Sequence, residues 1–286
     1  MTKEYPSIIH CQKPLKNLVI RAAKRVGISR ACLRLVSFAL RSRLHNEPIQ
    51  FATDGLITSY HFGGREDKAW TTALCAARDE SAPHHNLYHE WRLWTACVLM
   101  RNILATRDKP VFVECGVGMG MTLYLFLKYI ENLVDADLIE RLANSSFLEM
   151  DTFEGIDLSL VPQEILRLGG IQSSAYGMAT LPLMERRFAP YPAVWLVPGS
   201  IPSSLCKVDG VQPDFLHIDL NNPKPEVEAL RHFMPLMTKG SIVLLDDYSV
   251  TGPRLAPQRQ AIDDLVTERS WPRILGLPTG QGLLVI

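Results

Sequence analysis

The chain has no Cys-x-x-Cys pair, no long apolar run and no net charge, and each absence removes a class of protein. Its six cysteines, Cys11, Cys32, Cys75, Cys97, Cys115 and Cys206, are scattered, which excludes a compact disulfide framework. Most are expected to be reduced core thiols in a cytoplasmic protein. No apolar stretch reaches the roughly 18 residues of a membrane span, and the first residues lack the charged-then-apolar layout of a signal peptide. Thirty basic residues balance thirty acidic ones, so no nucleic-acid partner is expected. Internal repeats and low-complexity tracts are also missing.

One absence is local. Between Glu4 and Glu47 there is no acid, while Lys13, Lys16, Arg21, Lys24, Arg25, Arg30, Arg34, Arg41 and Arg43 alternate with apolar residues. This reads as a basic amphipathic arm of two helices over about residues 14–45, broken near Gly27-Ile28-Ser29, with Ser29 able to cap the second. A solvated basic face, with its apolar side packed on the domain or on a second subunit, is expected, so a homo-oligomer is anticipated. Peripheral contact with an anionic membrane surface, or with a phosphorylated or carrier-bound substrate, is the sharper alternative. Residues 48–84 have weak periodicity. A helix is expected from Leu87 to Leu104, carrying Trp91, Trp94, Val98 and Leu99 at helical spacing, and Pro110 ends the connection that follows.

What is present is a core: 47% of the 286 residues are hydrophobic. The run Val111-Phe-Val-Glu-Cys-Gly-Val-Gly-Met-Gly120 is an apolar strand closed by Glu114 and followed by three alternating glycines and the helical Met121–Ile130. Glycines beyond the carboxyl end of a buried strand let the backbone turn tightly and approach a ligand. A dinucleotide fingerprint needs Gly-x-Gly-x-x-Gly, and its third position here is Met121. Gly116-x-Gly118-x-Gly120 after Glu114 instead resembles the loop of S-adenosylmethionine-dependent methyltransferases. Further strands are expected at Ser146–Met150, Ala193–Val197, Asp214–Asp219, Ser241–Leu245, Arg273–Leu277 and Leu283–Ile286. Helical patterns separate the earlier ones, and Pro278-Thr-Gly-Gln-Gly282 is short enough to turn the last two into a hairpin. The expectation is an α/β fold with a Rossmann-like seven-stranded sheet, mostly parallel with the last strand antiparallel. Residues 83–286 would form this domain and residues 1–82 an N-terminal helical arm and lid.

Ligands of such sheets sit beyond the carboxyl ends of the strands, where this chain has acids. Asp151, in Asp151-Thr-Phe-Glu-Gly155, can accept both hydroxyls of a ribose, or form an Asx turn before Gly155. Asp219 ends one strand and Asp246-Asp247 another; three converging carboxylates call for a cation, and an all-oxygen set suits Mg²⁺. His217 falls two residues before Asp219 on the same strand face, as a core, second-sphere or catalytic residue. His61, His84, His85 and His89 are candidates for the mouth of a substrate site.

Together Val113–Gly120, Asp151–Gly155, the Gly199–Leu205 turn, Phe215–Asp219, Leu244–Tyr248 and Pro278–Gly282 resemble the macrocin O-methyltransferase (TylF-like) family of class I methyltransferases. The resemblance covers about residues 85–286. It implies S-adenosylmethionine held by the first loops, with Glu114, Gly116, Gly118, Gly120, Asp151, Phe153, Gly199, Ser200 and Asp219 as cofactor contacts. It further implies a divalent ion, usually Mg²⁺, on Asp219, Asp246 and Asp247, and methyl transfer to a hydroxyl of a small secondary metabolite. The family usually reads Ile-Asp-x-Asp-Leu-Tyr at the fourth strand end, where this chain has Ile218-Asp-Leu-Asn-Asn-Pro223. Asn221 therefore replaces a candidate base, and an amide cannot take a proton. The base is then expected elsewhere, at His217, a histidine of the 84–89 segment or a metal-bound hydroxide, with catalysis centred on His217, Asp219 and Asn221. N- or C-methylation, a catalytically impaired cofactor-binding scaffold and a nicotinamide-dependent oxidoreductase are the alternatives.

Overall fold

A computed structural model describes residues 51–53, 56–81, 89–168 and 179–286. The expected basic arm, His84, His85 and the Gly169–Gly177 stretch lie outside the described residues. The chain divides into two units, Met1–Ala52 with Ile57–His61, and Thr53–Leu56 with Phe62–Ile286. Outside the larger sheet, β1 (Phe51–Thr53) and β2 (Leu56–Thr58) pair as a two-stranded ribbon.

In the second unit, seven strands form one sheet: β3 (Val111–Cys115), β4 (Ser146–Asp151), β5 (Val194–Pro198), β6 (Phe215–Ile218), β7 (Ile242–Leu245), β8 (Leu275–Gly276) and β9 (Gly282–Val285). Their order is β5-β4-β3-β6-β7-β9-β8. All neighbours are parallel except β9, which runs antiparallel to both β7 and β8. This is the expected Rossmann-like seven-stranded sheet, mostly parallel with the last strand antiparallel, and every expected strand is present to within two residues at its ends. The chain order reverses between β3 and β6, so a switch-point crevice opens at their carboxyl ends.

Strand alternation sorts the side chains. On one face Phe147, Phe112 and Phe215 are in register across β4, β3 and β6, and Phe112 stacks on Phe147 at 4.8 Å. Two residues further, the same face carries Glu149, Glu114 and His217 in register, so the apolar row becomes a polar one as it nears the crevice. The other face belongs to Val113, Cys115, Leu216, Ile218, Val243 and Leu245, which pack in one core with Ala229, Leu230, Phe233, Ile262 and Leu265.

Helices α1 (Lys68–Ser81), α2 (Glu90–Thr106), α3 (Met121–Leu133) and α4 (Ala136–Ala143) follow in order. α3 buries Leu123, Tyr124, Leu125, Phe126, Leu127, Tyr129 and Ile130, nearly its whole circumference, because it is packed between the sheet and α1. In α2 the expected Trp91/Trp94/Val98/Leu99 stripe is half-buried, while Arg92, Ala96, Met100 and Ile103 form the deep face. Trp91 and Trp94 turn instead to Phe62 and Trp70, joining an aromatic cluster. α5 (Gln163–Leu168) and α6 (Leu181–Phe188) lie between β4 and β5, whereas α7 (Pro223–Phe233) and α8 (Ala256–Glu268) supply the core of the second face. No helix among the described residues is long and apolar enough to cross a membrane. Of the cysteines expected in the core, Cys97 and Cys115 are buried, but Cys75 and Cys206 are exposed; all four are free thiols.

Candidate functional site

A cavity of about 240 Å³ opens at the switch point, lined by residues from the ends of β3, β4, β5, β6 and β7. The glycine loop is built for closeness. Gly116 has φ +93, and a Cβ there would lie 2.0 Å from the Asp219 carbonyl oxygen, so only glycine lets the β3 and β6 ends meet. Gly118, at φ +51, has no atom within 4 Å of its would-be Cβ and lines the cavity, leaving open the surface a ligand would cover. Gly120 is not in the cavity wall. It starts α3 at φ +68, where a Cβ would press on Phe188 and Met184 of α6, and the Arg187 guanidinium donates to the Met119 carbonyl beside it.

Asp151 ties two loops together. Its Oδ2 accepts the Gly118 N–H at 2.9 Å and its Oδ1 the Phe153 N–H at 2.9 Å, the second being the Asx turn. The Thr152 hydroxyl has one proton and spends it on the Gly155 carbonyl at 2.5 Å. A carboxylate has about four acceptor positions, so about one on each Asp151 oxygen is left for a diol. Asp151 thus shapes its own loop and retains the capacity for a ribose. Phe153 adopts φ +55, a costly conformation for a bulky residue, and its side chain is 3% exposed rather than in the cavity wall. Ser200 lines the cavity, and its hydroxyl donates to Asp157 Oδ2 at 2.8 Å.

Beneath the loop lies a buried polar row. Glu114 Oε1 is 2.9 Å from His217 Nδ1, so Glu114, although it borders the cavity, is engaged with histidine. His217 Nε2 has no hydrogen-bond partner and stands 3.8 Å from Asp246 Oδ1. Burial pulls the His217 pKa down, but the carboxylates of Asp246 and Glu114 outweigh it and push it up to about 10. The imidazole is therefore a cation at neutral pH. Burial and then the charge of Glu114 hold the Glu149 carboxyl well above the usual range.

The three acids do meet: one oxygen from each of Asp219, Asp246 and Asp247 lies within 4.8 Å of the others. They do not meet alone. Arg92 of α2 places Nη1 2.8 Å from Asp246 Oδ2 and 2.8 Å from Asp247 Oδ1. Gln281 Nε2 donates to Asp246 Oδ1 at 3.1 Å, and Asn221 Nδ2 to Asp219 Oδ1 at 2.7 Å. Burial raises Asp246, but His217 and Arg92 more than offset it and hold the carboxyl well below its ordinary value. Burial and the charges of Asp246 and Asp247 raise Asp219 instead. The donor set matches a hard cation in kind, yet an N–H already reaches every carboxylate, and a guanidinium bridges two of them. As arranged, both oxygens of Asp246 and one each of Asp219 and Asp247 serve N–H groups of the chain.

Asn221 adopts φ +55, the left-handed region that asparagine tolerates well. The Glu226 carboxyl of α7 is buried, and burial and the charges of Asp219 and Asp247 raise its pKa against the lowering influence of the Leu220 and Asn221 backbone N–H groups. His89 begins α2 and lines the cavity; His61, in the first unit, is exposed. Sequence reasoning missed Arg92 and Gln281. A signal existed for the first: an arginine at the head of the i, i+4, i+8 series Arg92/Ala96/Met100.

No protein-family model and no curated protein matches the chain. Solved structures do. The O-methyltransferase NovP is 17% identical, with a TM-score of 0.58 over 73% of this chain and 87% of that one. The calicheamicin methyltransferase CalS11 is 18% identical at a TM-score of 0.49, covering 79% of this chain and 94% of that one. A third, described as a putative caffeoyl-CoA O-methyltransferase from Staphylococcus aureus, is 10% identical at 0.47, covering 78% and 94%.

Proposed function

We propose that this chain is an S-adenosylmethionine-dependent O-methyltransferase acting on the hydroxyl of a small specialised metabolite. The observation that carries the reading is the Gly118–Asp151 arrangement, an open glycine turn bonded to a carboxylate that keeps acceptor capacity on both oxygens. The fold shared with an O-methyltransferase supports it, as does the resemblance of the strand-end motifs. Met121 at the third fingerprint position speaks against a nicotinamide cofactor.

When bound, S-adenosylmethionine supplies an electrophilic sulfonium methyl whose thioether leaves without a proton. The chain's own work is then binding, orientation and proton acceptance. Asp151 would take the ribose hydroxyls, the 116–118 turn would cover the amino-acid end with backbone, and Ser200 would border the cofactor. For the acceptor, Asp219 lines the cavity beside Asp246, and its partner is the Asn221 amide rather than a cation. In its ionised form Asp219 would receive the hydroxyl proton as the oxygen–carbon bond forms. A phenol-like hydroxyl, with a pKa of about 10, asks less of such a base than a sugar hydroxyl. No step is assigned to Mg²⁺, because the three acids are already engaged by Arg92, Gln281 and Asn221.

Calorimetry with S-adenosylhomocysteine tests the cofactor assignment. The wild-type protein should bind, and Asp151→Ala should weaken binding by about 10- to 100-fold, the worth of hydrogen bonds to a charged group. A wild-type protein that gives no heat at millimolar ligand would refute the reading.

A further inference from the structure

We propose that Arg92 is the resident cation of the acidic cluster, holding Asp246 and Asp247 in place of a divalent ion, so that the chain binds no metal at this site. Arg92 is 9% exposed and its surroundings are shaped to it. Nε donates to the Thr279 carbonyl at 2.8 Å while Nη1 bridges the two acids. Gly280, at φ +95, leaves the space: a Cβ there would stand 2.8 Å from Arg92 Nη2 and 2.9 Å from Val250. Gln281 closes the arrangement from the same hairpin, its amide donating to Asp246 and reaching the Arg92 carbonyl at 3.5 Å, with its own oxygen fixed by the Thr279 hydroxyl at 3.0 Å. The Pro278–Gly282 turn thus holds one arginine in one place from three successive residues.

A divalent ion would have to compete for these oxygens. Mg²⁺ demands near-octahedral oxygen ligands at about 2.0–2.1 Å, and both oxygens of Asp246 and Oδ1 of Asp247 are already acceptors of N–H groups. Taking them would leave a guanidinium, which cannot lose its proton, buried beside a second cation. The clamp also supplies part of what an ion would otherwise provide, relief of carboxylate crowding at the β7 end. Arg92 is in this sense a positioning residue.

The consequence for catalysis rests on the methyltransferase reading above, but metal binding is measured on the apoprotein, and S-adenosylhomocysteine binding is scored separately. Mn²⁺ titration followed by electron paramagnetic resonance would use wild type, Arg92→Lys, Arg92→Met and Arg92→Met/Asp246→Asn. Wild type and Arg92→Lys should take up no Mn²⁺ tighter than about 1 mM, within the weak end of protein oxygen sites. Arg92→Met should gain one site at least about tenfold tighter, lost again on adding Asp246→Asn. A wild-type site tighter than about 1 mM that Asp246→Asn abolishes would overturn the proposal. So would a folded Arg92→Met protein that gains no site. Should Arg92→Met not fold, comparison of wild type with Asp246→Asn decides: equal, weak Mn²⁺ uptake supports the clamp, and loss on substitution refutes it. Retained S-adenosylhomocysteine affinity in wild type with and without EDTA keeps the cofactor assignment separate.

Discussion

Gly116 and Gly118 carry the same backbone sign but answer to different constraints, and substitution separates them. Gly116→Ala forces a Cβ onto the Asp219 carbonyl and should cost about 3 kcal/mol or more in urea unfolding, in the range of severe steric and backbone defects. Gly118→Ala meets no neighbour, so its cost should be only the left-handed penalty of about 1–2 kcal/mol, while S-adenosylhomocysteine binding is lost because the methyl occupies the open surface. Equal stability losses for the two would contradict this division. At the same scale, the motif acids were legible from position alone: a residue closing an apolar strand must lie at the sheet's carboxyl edge. Arg92 was not, since an arginine near a helix start reads as solvated until a distant hairpin is known to enclose it. The Asx turn and the ribose site, competing readings of Asp151, coexist because a carboxylate has more acceptor positions than its loop consumes.

Helix α1 shows why an element can be present and unreadable. Its buried residues Trp70, Ala73, Leu74 and Ala77 do follow helical spacing, but two of the four are alanines, whose small apolar area gives a weak periodic signal. What anchors the helix is Asp67: Oδ1 accepts the Trp70 N–H at 3.0 Å as a cap, and Oδ2 accepts the Tyr129 hydroxyl of α3 at 3.0 Å. Asp67→Ala should therefore destabilise by about 1–2 kcal/mol for the cap, plus a further share for the orphaned tyrosine hydroxyl. Asp67→Asn should recover most of the cap. Differential scanning calorimetry would read the loss as about 2–4 °C per kcal/mol. Strands were read more accurately than helices here because β3, β6 and β7 are buried on both faces and appear as uninterrupted apolar runs.

Across the whole molecule, protection should follow the sheet order. Amide hydrogen exchange is expected to be slowest in β3, β6 and β7, whose bonds are covered by helices on both faces, and fastest among the strands in β8, where Leu275 is 60% exposed. Comparable protection in β8 would contradict the assigned edge. The sequence by itself determined the architecture of the large sheet: its strand count, mostly parallel direction, the closing hairpin and the loops that flank the crevice all follow from period, punctuation and chain order, which are local properties. Only the tertiary structure decided what those loops hold between them. The pairing of Glu114 with His217, the deep face of α2 and the insertion of Arg92 between Asp246 and Asp247 each join residues more than 100 positions apart or depend on which helix face the sheet covers. Local pattern brings acids to one edge; the cation that neutralises them is fixed by packing, because burying a charge requires partners that only the folded chain can assemble.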